Sequence, residues 1–153
     1  MVDPVGFRTQ KVRSPTKETE KMENPPQISL SELLHRLFDI GGSDLHITTG
    51  TAPLVRVDGQ IRPLDGYRPL NSTETKQLAY SVLTDAQKHR FEENLELDFS
   101  FGVKGLSRFR ANIFNQRGAV GCVFRMIPYE IRSFENLNLP PTVAKLCEKP
   151  RGL

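Results

Sequence analysis

The stretch 107-SRFRANIFNQRGAVGCVFR-125 decides how this chain folds. It contains two alternating runs, about 107 to 115 and 118 to 127, around a tight turn centred on Gln116-Arg117. Side chains of a strand point to opposite faces in turn. One face of the predicted ribbon therefore carries Phe109, Ala111, Ile113, Val120, Cys122, Phe124 and Met126, all suited to a core. The other carries Arg108, Arg110, Asn112 and Arg125. With the turn so placed, Arg108 faces Arg125 and Arg110 faces Val123.

Like charges crowded on one side of a ladder destabilise it unless anions meet them. Two kinds of anion fit. Glu92, Glu93, Glu96 and Asp98 lie close by in sequence and could pair with the arginines locally. Phosphate is the second, because a guanidinium matches phosphate oxygens in bidentate geometry. Charge and periodicity leave both open.

Before the ribbon, Leu97, Phe99 and Phe101 alternate with Asp98 and Ser100, the pattern of a half-buried strand. Further back, Thr84 with Gln87 forms a capping box opening a helix that presents Phe91 and Leu95, and a helix from Asn71 or Ser72 turns Leu78, Val82 and Leu83 inward. Val55 and Val57 lead into Asp58-Gly59, a strong two-residue hairpin signal, and Leu45 and Ile47 alternate with His46 and Thr48. Ser29 with Glu32 predicts a first helix with a capping box, stapled by Ile28 and Leu33. It carries the stripe Leu30, Leu33, Leu34, Leu37 and Phe38 and ends at Gly41-Gly42. After the ribbon, Pro140-Pro141 introduce a short helix through Val143 and Leu146. The order predicts an α+β domain with a mainly antiparallel sheet of about six strands and helices packed against it.

Among 153 residues, 37% are apolar and the formal net charge is +3. Residues 1–27 hold four prolines, scattered charge and little to bury, which predicts a disordered extension ahead of an ordered domain at 28–148. Basic residues form no stripe of the kind that tracks a phosphate backbone, so nucleic acid is not an expected partner. Cys122 and Cys147 lack metal spacing and read as core residues. No apolar run approaches the ~18 residues of a membrane span, and no signal peptide is visible, which makes the cytoplasm the expected location.

The run RFRANIFNQRGAVGCVFR closely resembles PilT-type pilus-retraction ATPases of the secretion ATPase superfamily. So do GGSDLHITTG, PLVRVDGQI, LELDFSF and the closing KPRGL, in that order. The resemblance implies a PAS-like domain, with 149–153 beginning a linker to a RecA-like ATPase domain. It implies a cytoplasmic homo-hexamer, peripheral to the inner membrane, that powers pilus retraction and twitching motility with ATP and magnesium. In that family, arginines of this domain lean over nucleotide bound by the neighbouring core. The matching positions are Arg110 and Arg125, with Arg108 and Arg117 as further candidates, and Asp44 and His46 are implied at the domain interface.

A P-loop requires G-x-x-x-x-G-K-[ST], whose amides and lysine hold the phosphates. None occurs in this sequence, so the chain by itself is expected to have no catalytic residues and no ATPase activity, as a truncated piece of a longer protein. His35, His46 and His89 lack metal spacing, and no serine sits in a nucleophile motif. Two alternatives stand beside the motor module. A free-standing PAS-like regulatory domain would hold a small molecule in a closed apolar pocket, and an assembly fragment would insert into rings of full-length partners.

Overall fold

The computed structural model describes residues 28–151; the expected disordered extension at 1–27 and the end of the expected linker lie outside them. The first helix, α1 (Leu30–Asp39), places Leu30, Leu33, Leu34 and Leu37 on one buried stripe. Its end has a physical cause. Gly41 adopts φ +66°, and the N–H groups of Gly41 and Gly42 return to the carbonyls of Phe38 and Leu37, satisfying groups a helix end would otherwise orphan.

Three strands follow as a meander, β1 (Asp44–Ile47), β2 (Leu54–Val57) and β3 (Gln60–Pro63). Two helices cross next, α2 (Ser72–Tyr80) and α3 (Asp85–Asn94), each opened by a complete capping box, Asn71 with Glu74 and Thr84 with Gln87. A second meander closes the sheet: β4 (Glu96–Val103), β5 (Ser107–Gln116) and β6 (Ala119–Ile127). The last helix is α4 (Pro141–Cys147). The six strands form one sheet in the order β3-β2-β1-β6-β5-β4, antiparallel at every pairing. The two meanders thus meet along a single seam, β1 against β6.

One face of the sheet carries the core: Leu45, Ile47, Val55, Phe109, Ala111, Ile113, Cys122 and Phe124 pack with the leucines of α1, Leu78 of α2 and Phe91 of α3. Burying each of the larger side chains contributes about 1.5–3 kcal/mol, so this face holds the domain together. The α+β expectation and the antiparallel sheet of six strands are both borne out.

Several details differ from the sequence reading. The β5–β6 turn is Arg117-Gly118, with both residues at positive φ (53° and 76°), the conformation of a tight hairpin that suits glycine at its second position. That is one residue later than expected, so each pairing moves by two and every side chain keeps its expected face. Arg110 stands opposite Arg125, and Arg108 opposite Ile127.

Ser29 caps α1 in backbone geometry only; its side chain makes no cap hydrogen bond, and Glu32 instead accepts from the Tyr67 hydroxyl at 2.8 Å. Phe38 lies off the buried stripe and is 47% exposed. Leu95 is exposed too, because it ends α3 in the left-handed conformation (φ 59°). Leu146 and Cys147 face solvent on α4, which buries no side chain, whereas Cys122 is fully buried and its thiol pKa is raised by that burial. Among the described residues, no helix is long and apolar enough to cross a membrane.

Gly42 is required by space. A Cβ there would lie 2.6 Å from Cδ1 of the fully buried Leu37 and 3.1 Å from the Arg56 carbonyl, which accepts the Ser43 N–H. We predict that Gly42→Val lowers unfolding stability by about 1–3 kcal/mol, read as a shifted urea midpoint at unchanged slope.

Candidate anion-binding site

The opposite face of the sheet carries the charges. Register alone lines up five residues across five strands: Arg56 on β2, Asp44 on β1, Arg125 on β6, Arg110 on β5 and Ser100 on β4. In the adjoining row His46 pairs with Val123, Val123 with Asn112, and Asn112 with Asp98. The sequence reading had placed Arg110 and Arg125 on one face, and the structure sets them directly opposite each other.

Two carboxylates flank this arginine pair. Arg125 donates Nε–H to Asp44 Oδ1 at 2.8 Å, from the β1 side. Arg110 approaches Asp98 Oδ2 at 3.5 Å, on the β4 side. The two guanidiniums are thus drawn toward opposite sides of the ladder. Between them opens a cleft of about 280 Å³, lined by Asp44, Asp98, Arg110, Asn112, Val123 and Arg125. Both arginine side chains remain 67% exposed.

Asp44 is the anchor. It is only 3% exposed, and its Oδ2 accepts from Ser43 Oγ at 2.8 Å and meets Arg56 Nε at 3.3 Å. Burial pushes its pKa up, but the hydrogen bonds from Arg125 and Ser43 and the charges of Arg125 and Arg56 outweigh that and hold it below the ordinary carboxylate range. Arg56 was not singled out from sequence, although its alternation with Val55 and Val57 already put it on the outer face. The Asp44 carboxylate is engaged by Arg125, Arg56 and Ser43 of this same fold.

His46 adjoins the same cluster. Burial lowers its pKa, the charges of Arg56 and Arg125 act the same way, and Asp44 opposes them. Its Nε2 is buried without a hydrogen-bond partner among the described residues. Arg108 lies on the same face one row beyond Arg110 and donates to Ser100 Oγ at 3.0 Å. Arg117 does not join the group: it occupies the turn, seven residues from Arg110, about 23 Å at the rise of a strand. Of the acidic residues weighed as local partners, Asp98 meets Arg110 and Glu96 accepts from Asn112 at 3.3 Å, while Glu92 accepts from Tyr80.

Among the described residues, no group of three or more His, Cys, Asp or Glu is placed to hold a metal ion. The cleft sets two guanidiniums beside two carboxylates. Arg125 donates to Asp44 through Nε, not through a terminal nitrogen.

No protein-family profile matches the chain. Individual proteins do. The type IV pilus retraction ATPase PilT of Pseudomonas aeruginosa is 40% identical over 126 residues, covering 82% of this chain and 36% of the relative. The type IV pilus ATPase PilU of the same organism is 36% identical over 126 residues, covering 82% and 33%. A twitching motility protein of Neisseria gonorrhoeae is 37% identical over 101 residues, covering 66% and 27%. Among solved structures, the pilus retraction motor PilT with bound ADP superimposes with a TM-score of 0.69 at 42% identity, covering 80% of this chain and 36% of that one. The Legionella pneumophila ATPase DotB gives 0.65 at 20% identity, covering 86% and 38%, a likeness of fold. The chain spans about a third of the length of the curated relatives it matches.

The lowered pKa of Asp44 gives a signed prediction. Its contribution to stability is complete above the unfolded value of about 3.9 and is lost as pH falls through the lower folded value. Asp44→Asn is expected to cost about 2 kcal/mol at neutral pH and to flatten the loss of stability below about pH 4, both measured by urea unfolding across pH.

Proposed function

We propose, on the premise that this chain is a homologue of the N-terminal region of PilT-type pilus-retraction ATPases, that it is the arginine-bearing module of such a motor. In this reading, residues 28–148 form the module and the chain after it leads into a RecA-like ATPase domain. That domain grips ATP and magnesium, and copies assemble into a cytoplasmic hexamer at the inner-membrane pilus machinery. Arg110 and Arg125 reach the phosphates of nucleotide held by the neighbouring subunit. Hydrolysis belongs to the other domain, and the present residues tune it.

The observation that carries the reading is the direct opposition of Arg110 and Arg125 on the charged face of the sheet. Two like charges in register weaken a ladder, and two flanking carboxylates offset that only in part, since both guanidiniums stay largely exposed. A polyphosphate set between them would complete the neutralisation. Arg108, one row away, can add to the field; Arg117 stands too far along the ribbon to act with them. Asp44 enters this reading as the residue that aims Arg125, with His46 beside it.

Magnitudes explain why a second domain is needed. A charge-assisted hydrogen bond contributes about 1.5–3 kcal/mol, and even millimolar binding requires about 4 kcal/mol. Two exposed arginines alone thus bind nucleotide weakly. Beside a nucleotide already gripped, arginines in other phosphoryl-transfer systems alter rates by on the order of 10³ to 10⁵.

The test is a chimera in which residues 28–151 replace the matching region of Pseudomonas aeruginosa PilT. Arg110→Ala in that chimera is expected to lower ATP turnover at least about tenfold while ring assembly persists by size-exclusion chromatography. Turnover equal to the unsubstituted chimera would remove Arg110 from the site.

A further inference from the structure

The two carboxylates of the cleft differ in kind. Asp44 is buried, holds Arg125 at 2.8 Å through Nε, and is tied to Arg56 and Ser43 as well. Asp98 is 55% exposed and meets Arg110 only at 3.5 Å, through the terminal nitrogen Nη2. The difference in atoms matters. Phosphate oxygens are best gripped by a pair of parallel N–H bonds from one edge of the guanidinium. Asp44 meets Arg125 through Nε, whereas Asp98 stands 3.5 Å from one of the terminal nitrogens of Arg110 that such a grip would use.

We propose that Asp98 is a built-in competitor for the anion, holding Arg110 until a polyphosphate takes its place, while Arg125 stays on Asp44 throughout. This rests on the assignment of Arg110 and Arg125 to phosphate. The exchange is feasible because an exposed ion pair contributes little, whereas a charge pair with one buried member is costly to break. Asp98 also remains anchored after it yields, since its other oxygen accepts from Asn112 at 3.3 Å. Arg125 is therefore a fixed contact and Arg110 an exchanging one. Asp98 sets how strongly the site responds to a given anion without touching that anion itself.

The test is a titration of the chain with inorganic tripolyphosphate, to about 50 mM at constant ionic strength, followed by NMR of the Arg110 and Arg125 Nε–H signals. Asp98→Asn is expected to tighten binding about two- to fivefold, and its amide retains an acceptor for Asn112. Glu96→Gln is the control. It removes the same charge from the same strand, but Glu96 contacts Asn112 and not Arg110, so it should change affinity less than about 1.5-fold. Equal tightening by both variants would mean a general charge effect and would overturn the competitor role. An unchanged affinity in Asp98→Asn, with both arginine signals still responding, would overturn it too while leaving the nucleotide-contact reading intact. No response at Arg110 or Arg125 in any variant would remove the anion site and the competitor together.

Discussion

Asp44 is the constraint on which the charged face depends. A carboxylate in so buried a position is stable only with partners close enough to offset its lost hydration, and β2 and β6 supply one guanidinium each. The contact therefore acts twice. It joins the two meanders across the β1–β6 seam, and it fixes which way Arg125 can lean. Removing Asp44 would leave Arg56 and Arg125 on nearby strands with nothing between them, and Arg110 opposite Arg125 with no counterweight on that side.

The sheet divides its labour by face. Helices cover one side with leucine and phenylalanine, and the energy of folding resides there. That surplus lets the other side hold an arrangement that local rules disfavour, Arg110 directly against Arg125. Such conflicts are expected where a surface is kept for a ligand. The two acidic neighbours make the conflict tolerable without resolving it, one by a part-buried hydrogen bond and the other by a loose surface pair. The chain is 40% identical to a stretch of PilT and, at 20% identity, shares its fold with part of DotB. In the proposed reading, the arginine pair is the part of the chain that meets a phosphate.

Much of this was legible in the residues. Alternation in SRFRANIFNQRGAVGCVFR assigned both faces of β5 and β6 correctly even with the turn misplaced, because an even-numbered shift of register leaves sidedness unchanged. Thr84 with Gln87 and Asp58-Gly59 formed the cap and turn their chemistry predicts. Errors gathered where a local pattern met a tertiary competitor: Glu32 went to Tyr67 instead of to the helix cap, and Leu95 was spent on a left-handed helix end. The bond from Arg125 to Asp44 spans 81 positions of sequence, and no local periodicity reports which strand a distant aspartate will adjoin. Arg56 was readable as outward-facing, but its partner was hidden for the same reason.

That long span also shapes how the chain must find its fold. Each meander closes through short loops, and the β5–β6 hairpin needs only two residues to reverse. The seam instead requires a loop of some eighty residues to close before any of its hydrogen bonds form, and closure entropy grows with loop length. Proteins rich in such distant pairings fold slowly. Each meander can close through its own short loops, whereas the β1–β6 seam depends on contacts distant in sequence.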